Sequence, residues 1–183
     1  DSYPAFGLQT MGEKAIAATQ PDGNMSLDLK IEQVKQYPTK DGEVTEILLK
    51  DKVYPFEIKQ YYKAYQGTDI ISTWIEIMNN GKKSVTLYRF VSAYLPVQRG
   101  DNWLTHFHGH WGAENMLEEE KLTNGQKVIS NKDGMVNTET DNPSFMLSID
   151  GKPQEEYGHI LGGTLAWTGN HLLKMDIIYT KLL

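Results

Sequence analysis

Apolar and polar residues alternate along much of the chain. In residues 26–35 (SLDLKIEQVK), Leu27, Leu29 and Ile31 recur at every second position between charged or polar residues, the period of a half-buried strand. Residues 44–50 (VTEILLK), 53–65 (VYPFEIKQYYKAY) and 126–130 (QKVIS) are counted as further strands. Between residues 69 and 97, two long strand patterns flank Asn79, Asn80 and Gly81, residue types that tolerate positive φ, and this predicts a hairpin. SFMLSIDGKP (144–153) predicts a second hairpin, and HILGGTLAW with HLLKMDIIY predicts a third pair around Thr168, Gly169 and Asn170. With roughly ten strands and turn signals at the spacing of a sandwich, the expected fold class is all-β. GAENMLEEEKL (112–122) stands apart: acidic, with few apolar positions, it is expected to be a loop or a short helical turn.

Length and composition narrow the picture. A chain of 183 residues, 39% hydrophobic and 23% charged, without low-complexity tracts, is expected to fold as one domain spanning 1–183. A formal charge of -6 gives no reason to approach phosphate backbones, so no nucleic-acid partner is expected. No apolar run approaches the roughly 20 residues of a membrane helix, and DSYPAFG lacks the features of a leader, so no membrane partner is expected either. If a signal peptide has been removed, the periplasm or the exterior is favoured; otherwise the cytoplasm. HLLKMDIIYTKLL is still β-patterned at the last residue, which suggests a piece of a longer protein. The absence of cysteine excludes disulfides and thiolate metal sites.

The stretch THFHGHWGAEN (105–115) carries the most chemistry. His106, His108 and His110 alternate, so an extended backbone presents them on one face, where two imidazoles could share a zinc or copper ion. Gly109 and the Trp111-Gly112 pair argue that the strand breaks there and splays His110 away. Lys174 and Asp176 would suit a retaining glycosidase only with a second carboxyl group about 5 to 5.5 Å away on a barrel scaffold, and no alternating strand and helix pattern supplies one. Asp176 therefore reads as a solvated strand residue, and Glu118, Glu119 and Glu120 as solvated surface. No GxSxG, phosphate-cradling loop or HExxH helix is present. No catalytic residue is assigned.

Read in order, further motifs line up. Tyr3-Pro4-Ala5-Phe6-Gly7 opens the chain, and DIISTWIEIMNNG with Ser92 and Ala93 lies at its centre. His106, Gly109, Trp111 and Glu114 then form H-x-x-G-x-W-x-x-E, followed by Asn142-Pro143-x-Phe145 and by Gly158, Gly162, Leu165, Thr168, Gly169 and Asn170. Together they resemble the N-terminal β-domain of α-galactosidases of glycoside hydrolase family 36, the melibiase and raffinose-cleaving group. The resemblance implies a large antiparallel β-sandwich (supersandwich) of the galactose-mutarotase-like type. It also implies a (β/α)8 barrel in the same polypeptide that carries an Asp nucleophile and an Asp acid/base, an α-galactoside substrate, retained configuration and no cofactor. Homo-oligomerisation stays open.

Of the three histidines only His106 falls on a position of that pattern, and no metal site is expected. His106, Trp111 and Glu114 are the candidate substrate-binding or pocket-shaping residues; the alternative is that Trp111 and Glu114 only lock a domain interface. Two departures stand out. Thr10 and Gly12 occupy the places where many tetrameric members carry Asp-x-Arg, which puts a shared, tetramer-dependent site in doubt. Asn137-Thr138-Glu139 replaces a usual Ser-Ser-His. Two other classes are kept: an independent carbohydrate-binding module, and a metal-dependent β-sandwich enzyme using the histidines.

Overall fold

The computed structural model describes residues 3–7, 13–97, 100–135, 139–167 and 169–177. Among them the regular structure is entirely β, with twelve strands. Among the described residues no helix is long and apolar enough to cross a membrane. The chain divides into two compact units, Asp1–Pro96 and Val97–Leu183.

The first unit holds β1 (Ile16–Thr19), β2 (Leu29–Thr39), β3 (Gly42–Asp51), β4 (Phe56–Tyr65), β5 (Ile71–Asn79) and β6 (Thr86–Phe90). Strands β2 to β5 follow one another across a four-stranded antiparallel sheet, while β1 pairs with β6. The period of two explains the core. Ile16 and Ala18 of β1, Leu49 of β3, and Phe56 and Ile58 of β4 point inward with Leu27 and Leu29, and Ile75 and Ile77 of β5 pack against them. The alternation stops being buried at Ile31, which is 61% exposed, and a bulge between Ile31 and Gln33 then shifts the register of the rest of β2.

The second unit holds β7 (Trp103–His110), β8 (Ala113–Lys121), β9 (Gly125–Asn131), β10 (Ser144–Ser148), β11 (Ile160–Thr164) and β12 (His171–Ile177). One sheet has the order β11-β10-β7-β8; the other is the pair β12-β9. Leu104 of β7 and Leu147 of β10 meet Ile129 of β9 and Leu173 and Met175 of β12, closing a smaller sandwich core. Each side chain fully removed from water contributes about 1.5–3 kcal/mol.

Three expectations need correction. Residues 112–122 are neither loop nor helical turn: Ala113–Lys121 is strand β8, paired along its length with β7. The chain around Asn79 to Gly81 does turn, with Asn79 Oδ1 accepting from the Gly81 N–H at 3.0 Å, but β5 and β6 do not pair. Strand β6 crosses to β1, so this connection changes sheets instead of closing a hairpin. The segments around Thr168 to Asn170 do the same, since β11 pairs with β10 and β12 with β9. A hairpin does start at SFMLSIDGKP, but β10 pairs with β11, which lies beyond that stretch.

Candidate functional site

The HxHxHW stretch folds as a β-hairpin with Trp111 and Gly112 at its tip, since His110 pairs with Ala113. Gly112 has φ of 80°, a left-handed conformation that a side chain resists and a tight hairpin needs. Strand β7 does not break at Gly109. The register instead passes from His108 opposite Met116 to His110 opposite Ala113, leaving Glu114 and Asn115 facing the single Gly109. This bulge puts Asn115 at φ of 51°.

The candidate residues therefore separate. Trp111 is 83% exposed and Glu114 is exposed beside it, whereas His106 is 3% exposed. Five residues of strand, at about 3.3 Å each, put roughly 16 Å between His106 and Trp111. His106 belongs to the base of the hairpin, and Trp111 and Glu114 to its tip. The His106 and His108 rings stay on one face, their centroids 6.1 Å apart, while His110 Nδ1 turns to the Trp111 carbonyl at 2.9 Å.

Around His106 the structure assembles groups that belong to distant segments. Glu118 lies opposite it on β8, and Glu120, two positions on, points to the same face. His106 Nε2 is 3.6 Å from Glu118 Oε2 and 3.7 Å from Glu120 Oε1, and His108 Nε2 is 3.3 Å from Glu118 Oε2. Lys127 of β9 pairs with Glu120 and reaches Glu118 at 3.8 Å. Burial works against the Lys127 charge, but its hydrogen bond to Glu120 and the charges of Glu120, Glu118 and Asp141 outweigh burial and hold its pKa above the usual lysine value. Neither ring nitrogen of His106 has a hydrogen-bond partner among the described residues. Leaving such a buried group unpaired costs about 1–3 kcal/mol. The glutamates could have been found from sequence only by reading 112–122 as a strand, which places Glu118 and Glu120 on one face.

Other motif residues do structural work. Tyr3 is buried, its hydroxyl donates to the Val91 carbonyl at 2.7 Å, and burial pushes its pKa up to about 12 against the smaller opposing effect of that bond. Ala15 N–H donates to the Pro4 carbonyl at 2.7 Å, so the opening motif is tied to β1. Asn142 N–H donates to the Phe107 carbonyl at 2.9 Å and its Oδ1 accepts from Ser144 N–H at 3.1 Å, starting β10 beside β7. Phe145 lies across Gly163, where an added Cβ would come within 2.6 Å of its ring. Asn170 Oδ1 accepts from Gly134 N–H at 2.8 Å. Thr10, Gly12, Asn137, Thr138 and Thr168 lie outside the described residues.

The sheet face opposite His106 carries a shallow hollow of about 220 Å³ lined by Thr105, Glu119, Met146, Ser148 and Glu155 among others. That is below the roughly 300–1,000 Å³ of ordinary ligand sites. Of its two carboxylates, Glu155 is exposed and Glu119 pairs with Lys152 at 3.0 Å. Asp176 is exposed on β12 opposite Gln126.

The model of the glycosyl hydrolase family 36 N-terminal domain matches residues 1–180, across both units. The chain is 23% identical over 190 residues to the alpha-galactosidase AgaA of Geobacillus stearothermophilus, covering 96% of this chain and 26% of that protein. It is 26% identical over 189 residues to the alpha-galactosidase Mel36A of Lactobacillus acidophilus, covering 95% of this chain and 26% of that relative. The crystal structure of AgaA superposes with a TM-score of 0.87 over 96% of this chain and 26% of its own, at 23% identity, and so matches in fold. The galactosidase domain of an alpha-galactosidase-sucrose kinase, AgaSK, superposes with a TM-score of 0.85 over 95% of this chain and 26% of its own. The chain thus spans about a quarter of the length of these relatives.

Proposed function

Because the chain belongs to the glycosyl hydrolase family 36 N-terminal domain family, we propose that it is the non-catalytic β-sandwich domain of a retaining α-galactosidase acting on terminal α-linked galactose, as in melibiose or raffinose-type oligosaccharides. Both units serve as one domain. Its partner is a (β/α)8 barrel in the same polypeptide, which supplies the nucleophile and the acid/base.

The observation that carries this reading is the β7–β8 tip. A tryptophan 83% exposed at a two-residue turn is an apolar face offered outward on a paired, bulged hairpin. An indole face suits the apolar face of a galactose ring, and the exposed Glu114 beside it can accept a hydrogen bond from a sugar hydroxyl. Docked at the barrel mouth, the tip would position substrate and exclude water without touching the reacting atoms. His106, buried at the hairpin base, supports the tip rather than the sugar.

The test is an aryl α-galactoside assay. The chain alone should show no turnover; in the intact enzyme, Trp111→Ala should lower kcat/KM about tenfold, the equivalent of about 1.4 kcal/mol. Turnover by the chain alone would refute the non-catalytic reading. The exposed tryptophan equally favours one rival, an independent carbohydrate-binding module. Saturable quenching of tryptophan fluorescence by melibiose in the isolated chain, lost in Trp111→Ala, would replace the proposal with that rival.

A further inference from the structure

The groups around His106 have the geometry of a cation seat. Nε2 of His106 and one carboxylate oxygen each from Glu118 and Glu120 all lie within 4.8 Å of one another. The His106 separations of 3.6 and 3.7 Å exceed a good hydrogen bond. They are close to the spacing that three ligands take around a tetrahedral ion, where bonds of about 2.0–2.2 Å leave ligand atoms about 3.3–3.6 Å apart. His106 is buried, with neither ring nitrogen hydrogen-bonded among the described residues, and its Nε2 is aimed at the two carboxylates. The protein already places a cation here, because the Lys127 ammonium pairs with Glu120 and stands 3.8 Å from Glu118.

We propose that His106, Glu118 and Glu120 form a binding site for a divalent first-row transition ion of the zinc class, and that Lys127 is its intramolecular competitor. One imidazole and two carboxylates are a nitrogen and oxygen set that suits zinc, with the fourth position left to water or to His108, whose Nε2 lies 3.3 Å from Glu118. A metal entering the seat displaces the Lys127 ammonium, which can swing out on its flexible stem. The site lies where the apolar core of the second unit ends: Leu104 precedes His106 on the same face of β7, and Ile129 stands two positions from Lys127 on β9. The inference is independent of the galactosidase reading, since it concerns no sugar contact.

The experiment is calorimetric titration of the metal-free chain with zinc chloride, and cobalt chloride as a visible-absorbance probe of tetrahedral coordination. One ion per chain is expected, with affinity at least tenfold higher in Lys127→Met and at least tenfold lower in Glu118→Gln and in Glu120→Gln. These three positions are at least partly exposed, so the variants should keep the wild-type circular dichroism spectrum, which is checked. His106→Gln should abolish the cobalt spectrum; if that buried substitution unfolds the chain, the glutamine and methionine variants decide alone. Zinc binding that survives both glutamine variants marks surface histidines such as His110 or His159 and overturns the proposal, as does a Lys127→Met chain that binds no more tightly than wild type or binds no zinc.

Discussion

The two units solve the same problem with different interiors. In the first, ten buried residues from Tyr3 to Ile58 make an almost wholly apolar core, and only Gln20 and Gln60 are buried polar groups among its described residues. In the second, four residues, Leu104, Leu122, Ile129 and Leu147, make the fully buried apolar core, while five polar residues, Thr105, His106, Asn131, Ser148 and His171, are also buried. Some of those polar groups are well paired: Asn131 Nδ2 donates to the Gly134 carbonyl at 3.0 Å and Ser148 Oγ to the Gly151 carbonyl at 2.7 Å. His106 is not. Apolar burial is non-directional and stabilises wherever it occurs, whereas a buried polar group gains only if its partners are positioned. The second unit gives up apolar burial for positioned chemistry, and that is where the candidate residues lie.

The largest effects that would break this contrast lie in the cores. Phe56→Ala should cost about 3–5 kcal/mol, read as lost amide protection in β3 to β5, and Leu104→Ala about 2–5 kcal/mol, read in β7 and β10. A larger loss at Leu104 than at Phe56 would show that the smaller core is the more tightly packed one. A middle-sized effect tests the close approach in the second unit. Gly163→Ala drives a methyl group against the Phe145 ring and should cost about 1–3 kcal/mol in urea denaturation; a neutral result would mean the ring moves aside freely.

The smallest effect is electrostatic. Asp150 accepts from the His159 ring at 2.7 Å and from the His159 N–H at 3.1 Å, and these bonds, the ring's first, hold its carboxyl below the usual aspartate value. The contribution is present above about pH 4, where the unfolded carboxyl is also ionised, and fades as pH falls through the lower folded value. Carboxyl NMR titration should show the Asp150 midpoint rising in His159→Ala. An unchanged midpoint would remove the ring from the account.

Much of this was legible along the chain. The period of two located the core strands, because a side chain that alternates across a sheet must be apolar on the buried face whatever its neighbours are. Leu29, Leu49, Ile58, Leu104 and Leu147 are inside for that reason. The pattern failed at β8, where Glu118, Glu119 and Glu120 look like solvated surface until Lys127, Lys152 and the histidines of β7 arrive from elsewhere in the chain to balance them. Pairing failed too. A turn at Asn79 looks the same locally whether the next strand returns beside β5 or crosses to β1, since the turn is held by its own side chain.

The sequence by itself determined that this protein is all-β, which faces of its strands are apolar, and which family its motifs resemble. Those properties follow from local periodicity and residue order. Only the tertiary structure decided which strands pair, that Trp111 and Glu114 stand at a tip while His106 is buried at its base, and that a lysine shares the seat of two glutamates. Such placements depend on groups far apart in the chain being brought within a few ångströms, and no local pattern encodes that distance.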